Sequence, residues 1–259
     1  AVCGWGIWLY FFLVGKRVKF STVVKVGCTM LILHHSASLF LVAAYSKSRF
    51  LAALVGFIYW STEKGRTARV LAALHGIVMS ATRIVGIVCA GFPVVFSIFQ
   101  NGWRGLLKPR KWLRDNRAAI GLTIVAAGGA IAFFAYCQLR WGHWDLYMLT
   151  QAAGWGIKPD YLAVFRPESY RWLFPAPNDP IEASQMSMTL GAVLLLGVLI
   201  CEVVPALRHR ACLPVRLGIY FCAAVIYYLS VSGVAWVDME SMRRYQFCAS
   251  TLIVRACLN

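Results

Sequence analysis

Apolar stretches long enough to form helices follow one another along the whole chain, separated by turns that carry most of its charge. A helix that is apolar all round has no face to give to water, so such a series belongs in a large interior or in a bilayer. A membrane-spanning helix needs about 20 predominantly apolar residues, and irregular backbone is tolerated only inside protein or beside a cavity. About nine segments fit: 1–15, 21–34, 37–45 running irregularly into 49–61, 69–81, 83–100, 118–139, 187–207, 213–235 and 246–258. Composition agrees, with 60% of the 259 residues hydrophobic, 14% charged and a mean hydropathy of +0.66. An ordinary soluble domain carries about a quarter charged residues. The expected fold is all-α, a polytopic transmembrane helical bundle of about nine membrane segments. It forms a single transmembrane domain over 1–259, with a non-cytoplasmic loop at about 140–186.

The formal charge of +16, from 26 Lys and Arg against 10 Asp and Glu, would suggest nucleic acid as partner in a soluble protein. Here the position of the cations carries the information. Lys16-Arg17-Val18-Lys19, Glu63 to Arg69, Lys108 to Arg117 and Arg208-His209-Arg210 are short basic turns, the mark of the cytoplasmic side. The alternate connections fall on the opposite side. They hold seven of the ten acids: Asp145, Asp160, Glu168, Asp179, Glu182, Asp238 and Glu240. Membrane lipids, not nucleic acid, are the expected surroundings. The stretch Ala1 to Gly15 has no charged segment before it, and so reads as an internal helix of a longer chain rather than as a signal peptide.

The nine cysteines lie in or beside apolar segments without a C-x-x-C pair, and read as small buried hydrophobes. The five histidines are dispersed apart from His34-His35, so no metal site is expected. Arg83 lies between two apolar runs, where a charge at mid-membrane costs about 2.5–3.5 kcal/mol on insertion scales. It either snorkels from a tight hairpin or binds an anion, a guanidinium matching phosphate in a bidentate fork. Arg243-Arg244-Tyr245 raises the same choice on the side that topology depletes of cations, with Asp238 and Glu240 as the alternative partners. Asp145, beside His143, is the carboxylate in view for acid–base work at a wet–dry boundary, although an interfacial acid is also simply solvated. Lys25 and His75 sit near cytoplasmic helix ends, where snorkelling or a helix–helix hydrogen bond accounts for them. Glu202 reads as solvated at a helix end. The loop aromatics Trp141, Trp144, Tyr147, Trp155, Tyr161, Tyr170 and Trp172 form either an interface belt or a platform for sugar.

Four segments, taken in order, resemble one family. His35 to Phe50, with Tyr45-Ser46-Lys47-Ser48, is similar to a stretch of the form Pro-x-Ser-Phe-Phe-Leu followed by Tyr-Ser/Thr-Glu-Ser-Leu-Phe. Here Ser36 stands in the Pro position and Lys47 in the Glu position. Ala73-Leu74-His75-Gly76 through Thr82-Arg83-Ile84-Val85-Gly86 resembles an Ala-Leu-x-Gly…Thr-Arg-x-x-Gly hairpin. Gly142 to Tyr147 with Gln151 and Trp155-Gly156 resembles a Gly-Asp-Pro-x-x-Phe…Gln…Trp-Gly loop, and Ser241-Met242-Arg243-Arg244-Tyr245 a late Ser-x-x-Arg-Tyr. In this order and spacing they resemble the PIG-V type of GPI mannosyltransferases and their bacterial relatives, polytopic glycosyltransferases of the GT-C class.

The resemblance implies transfer of a sugar, mannose in that family, from a polyprenyl-phosphate donor to a lipid or glycan acceptor on the non-cytoplasmic face, with inversion and no nucleotide sugar; no cofactor is expected. It implies Arg83 and Arg244 at the donor phosphate, and Tyr45, Ser46, Gln151 and Tyr245 around the pocket. The family's catalytic carboxylate is expected upstream of residue 1, leaving Asp145 as the candidate within the chain. The compact loops favour a bacterial inner membrane over the endoplasmic reticulum membrane. The alternative reading is a catalytically inactive homologue or a non-enzymatic transporter or membrane subunit; a transporter should show a repeat with paired broken helices, and none is seen.

Overall fold

The computed structural model describes residues 2–17, 21–34, 46–155, 159–174, 179–204 and 213–234. Every regular element among them is helical: α1 (Val2–Arg17), α2 (Thr22–His34), α3 (Ser46–Ser61), α4 (Arg66–Thr82), α5 (Val85–Cys89), α6 (Phe92–Asn101), α7 (Pro109–Asp115), α8 (Arg117–Trp141), α9 (Leu146–Trp155), α10 (Pro180–Val203) and α11 (Leu213–Val234). Three short 3₁₀ turns, at Trp103–Leu107, Ala163–Phe165 and Pro167–Ser169, complete the set.

Among the described residues three helices are long and apolar enough to cross a membrane: α8, α10 over Ser184–Cys201, and α11 over Leu213–Gly233. Outward-facing Ile124, Ile131 and Leu139 of α8 are more than half exposed, as a surface meant for lipid would be. Of the nine expected segments, 246–258 and the 37–45 part of the third lie outside the described residues. The others coincide with helices, but α1, α2, α3 and α4 have only 16, 13, 16 and 17 residues. At 1.5 Å per residue these reach about 20–26 Å, short of a hydrocarbon core about 30 Å thick.

Local chemistry explains where the elements stop. Gly142 adopts a left-handed φ of +74° and returns its N–H to the Gln138 carbonyl at 2.9 Å, ending α8. Asp179 opens α10 by accepting from the N–H groups of Ile181 and Glu182 at 2.9 and 3.0 Å, with Pro180 at the first helical position. The helix therefore begins seven residues before the apolar run at 187. The expected loop at 140–186 also contains α9. The 83–100 segment is two helices, α5 and α6, meeting at Ala90-Gly91 with Pro93 just inside the second.

Small residues set the packing, as is common where lipid supplies no hydrophobic drive between helices. A Cβ at Gly76 would collide with Ala126 of α8, and one at Gly129 with the Ile77 carbonyl of α4. The Ser80 hydroxyl donates to the Ala126 carbonyl at 2.6 Å and accepts from the Ala130 N–H at 3.2 Å, joining one turn of α8 to α4. On the other side of α4, Gly56 of α3 leaves room for His75. The Leu71 carbonyl, 2.8 Å from Nδ1, can only accept, so that nitrogen carries a proton. In the neutral ring Nε2 then accepts from the Tyr10 hydroxyl at 2.8 Å, and Tyr10 accepts from Trp60 Nε1 at 3.0 Å.

These contacts fix directions. Residues 76 and 80 of α4 meet 126 and 130 of α8, so the two run parallel. Only four residues join α3 to α4 and the two still touch at 56 and 75, so that pair is antiparallel. The α1 and α3 helices run parallel and finish together where Arg17 pairs with Glu63. Basic turns collect at that end. The start of α3, the end of α4 and the end of α11 lie at the other.

Candidate functional site

At that other end a cavity of about 620 Å³ opens between α3, α4, α5, α8, α9 and α11. Its apolar wall comes from Phe50, Ile87, Val88, Phe133, Phe134 and Ile226. Its polar lining includes Ser46, Ser80, Arg83, Tyr147, Gln151 and Ser232.

Arg83 enters because α4 ends one residue before it. Its backbone is extended, with φ −148° and ψ +139°, so the chain leaves the helical path and turns into α5. Gly86 makes the turn possible. Its N–H donates to the Arg83 carbonyl at 2.9 Å, and an added Cβ there would stand 2.7 Å from the Met79 carbonyl and 2.8 Å from the Ser80 Cα. The spacing Arg83-x-x-Gly86 thus has a physical reason: the glycine lets α5 fold back onto the last turn of α4, and that fold places Arg83 in the cavity lining. Thr82 spends its hydroxyl on the Val78 carbonyl at 2.5 Å.

Ser46 is the first residue of α3, and Phe50, one turn later on the same face, joins it in the wall. Lys47, the cation in the position where the resembled motif has Glu, is buried and does not line the cavity. Tyr147, Met148 and Gln151 come from one face of α9. Pro159 and Tyr161 close a further side. Two bonds tie that segment to α11: the Asp160 N–H to the Ser232 carbonyl at 2.8 Å, and the Tyr228 hydroxyl to the Tyr161 carbonyl at 3.1 Å. The Ser232 hydroxyl is buried and has no hydrogen-bond partner among the described residues. A buried hydroxyl left so is costly, and a ligand could relieve the cost.

The structure therefore brings Ser46, Arg83 and Gln151 into one cavity. Asp145 is not part of it; its carboxylate stands 4.0 Å from His143 Nδ1, while its carbonyl accepts from the first turn of α9. Tyr45, Arg244 and Tyr245 lie outside the described residues. No Asp or Glu side chain is among the described lining residues. The Asp160 carboxylate, the closest in sequence to that lining, pairs with Arg166 at 2.8 Å and caps the Leu162 N–H at 3.1 Å. No cluster that could hold a metal ion occurs among the described residues. Sequence reasoning missed Ser230 and Ser232, which sit in an apolar run where small hydroxyls are ordinary, and only packing turns them toward the cavity.

Among the described residues the lining combines one arginine, several neutral polar side chains and an apolar wall. This is the chemistry of binding an anionic head attached to a hydrocarbon tail. No protein-family model, curated protein or solved structure matches the chain.

Proposed function

We propose that the protein is a polytopic membrane glycosyltransferase of the GT-C type that moves a sugar, mannose on the resemblance, from a polyprenyl-phosphate donor to a lipid or glycan acceptor on the non-cytoplasmic face. The observation that carries this reading is the meeting of Ser46, Arg83 and Gln151 in one cavity. The three come from three separate motifs of the resemblance, and nothing in their sequence spacing requires that they meet.

In this reading Arg83 takes the donor phosphate and offsets the charge that grows on it as the glycosidic bond breaks, a role suited to a positioned cation. Arg244 is its second phosphate ligand. Ser46, Tyr45, Gln151 and Tyr245 shape the space for the sugar, and the apolar wall takes the first isoprene units. The three long helices form the lipid-facing part of a bundle of about nine membrane segments, in which the shorter helices cross among their neighbours. The basic turns stand on the cytoplasmic side of a bacterial inner membrane and the cavity on the opposite one.

The test is transfer of radiolabelled mannose from a polyprenyl-phosphate donor by membranes containing the protein. Transfer is expected, and Arg83→Ala and Arg244→Ala should each lower it at least about a hundredfold, the scale of losing one charge-stabilising donor. Full activity of the Arg83→Ala protein would remove Arg83 from the site. Absence of transfer from every polyprenyl-phosphate sugar, with the protein folded, would make it a non-enzymatic membrane protein.

A further inference from the structure

Residues 104–117 hold six cations, Arg104, Lys108, Arg110, Lys111, Arg114 and Arg117, against one carboxylate, Asp115. The segment is structured: a 3₁₀ turn over Trp103–Leu107 leads into α7, and α7 runs directly into α8. At 100° per residue, Pro109, Trp112 and Leu113 share one face of α7 while Arg110, Lys111 and Arg114 share the other. Leu106, Leu107 and Leu113 are exposed, with Leu107 at 72%. Three leucines thus stand open beside six cations.

The plate is held in a fixed attitude. Asn116, at the joint between α7 and α8, is buried. Its side-chain oxygen accepts from the Ser97 hydroxyl and from Asn101 Nδ2, both on α6, and its Nδ2 donates to the Trp112 carbonyl at 2.8 Å. Trp112 in turn lies against Gly105, where an added Cβ would come within 3.3 Å of its ring.

We propose that residues 103–115 form an amphipathic plate that docks on the anionic phospholipid surface of the leaflet where α8 enters the membrane, with the leucines in the acyl boundary and the lysines and arginines among the lipid phosphates. Charge complementarity selects this occupant. Anionic lipid attracts a juxtamembrane Lys or Arg by about 1 kcal/mol each, close to fivefold in affinity, and exposed leucines add apolar burial. Continuity with α8, the longest of the candidate spans, places the plate at interface level. The inference needs α8 to be in a bilayer and does not depend on the transferase reading.

The intact protein is reconstituted in phosphatidylcholine bilayers with trace spin-labelled phosphatidylglycerol or phosphatidylcholine, and the share of each label immobilised on the protein is read by electron paramagnetic resonance. The expected result is a severalfold preference for phosphatidylglycerol that falls with salt and is largely lost in Arg110→Gln/Lys111→Gln/Arg114→Gln. The variant Lys64→Gln/Arg66→Gln/Arg69→Gln removes the same number of exposed cations from the turn into α4, at the same end of the molecule, and should lower the preference distinctly less. Equal loss in both variants would assign it to net charge and overturn the plate. Absence of any preference in the unaltered protein would overturn it as well.

Discussion

Gly56 is a glycine because His75 occupies the space a side chain would need, and Tyr10 presses in from α1 at 2.9 Å from the same point. Gly56→Ala is therefore expected to lower stability by about 1–3 kcal/mol, the range for overpacking a filled interior, as a fall in melting temperature in detergent. Ser80 is a bridge: its one hydroxyl serves both the Ala126 carbonyl and the Ala130 N–H. Ser80→Ala should cost about 0.5–2 kcal/mol, the scale of interhelical hydrogen bonds in membrane proteins, read as a fall in melting temperature in detergent. The sequence offers two accounts of His75, snorkelling or a helix–helix hydrogen bond. The Tyr10 contact selects the second. For Ser80 the sequence is silent, since a serine beside an apolar run reads alike whether it bonds its own helix or another.

At the scale of elements, apolar length locates the helices and capping chemistry sets their ends. The 118–139 run is α8 to within two residues at each end, because Gly142 stops it just past the apolar run. The 187–207 run misses the start of α10 because Glu182, Ser184 and Gln185 interrupt the apolar pattern over its first two turns, yet Asp179 and Pro180 are a legible opening signal. If α8 crosses the membrane, residues just outside its two ends face opposite compartments. Cysteine introduced at Arg114 and at His143 should then react with a membrane-impermeant maleimide from opposite sides of sealed vesicles. Labelling of both from one side would make α8 a hairpin arm or a surface helix.

Across the described residues the basic turns and the cavity lie at opposite ends. From Arg117 to Phe134 is 17 residues of continuous helix, about 25 Å along α8. One end carries Arg17, Glu63, Arg66 and the basic segment 104–117; the other carries Ser46, Arg83, Gln151 and Ser232. The Arg17–Glu63 pair that closes the basic end is about one third exposed on both partners. A double-mutant cycle with Arg17→Ala and Glu63→Ala is expected to give a coupling below about 1 kcal/mol, as solvent-screened pairs do, whereas a larger value would mean that this turn is sealed from water.

The sequence by itself determined that the chain is helical, that its long helices suit a membrane, where its basic turns lie, and that Arg83 needs an explanation. All of these follow from the cost of placing charge or bare backbone in hydrocarbon, which acts residue by residue and can be read along a line. Only the tertiary structure decided which side chains meet. Gly76, Gly86 and Gly129 allow approaches that depend on the shape of the opposing helix, and the shared cavity of Ser46, Arg83 and Gln151 depends on the parallel and antiparallel order those approaches impose. Close packing is a property of pairs of surfaces, and one strand of sequence carries only half of each pair.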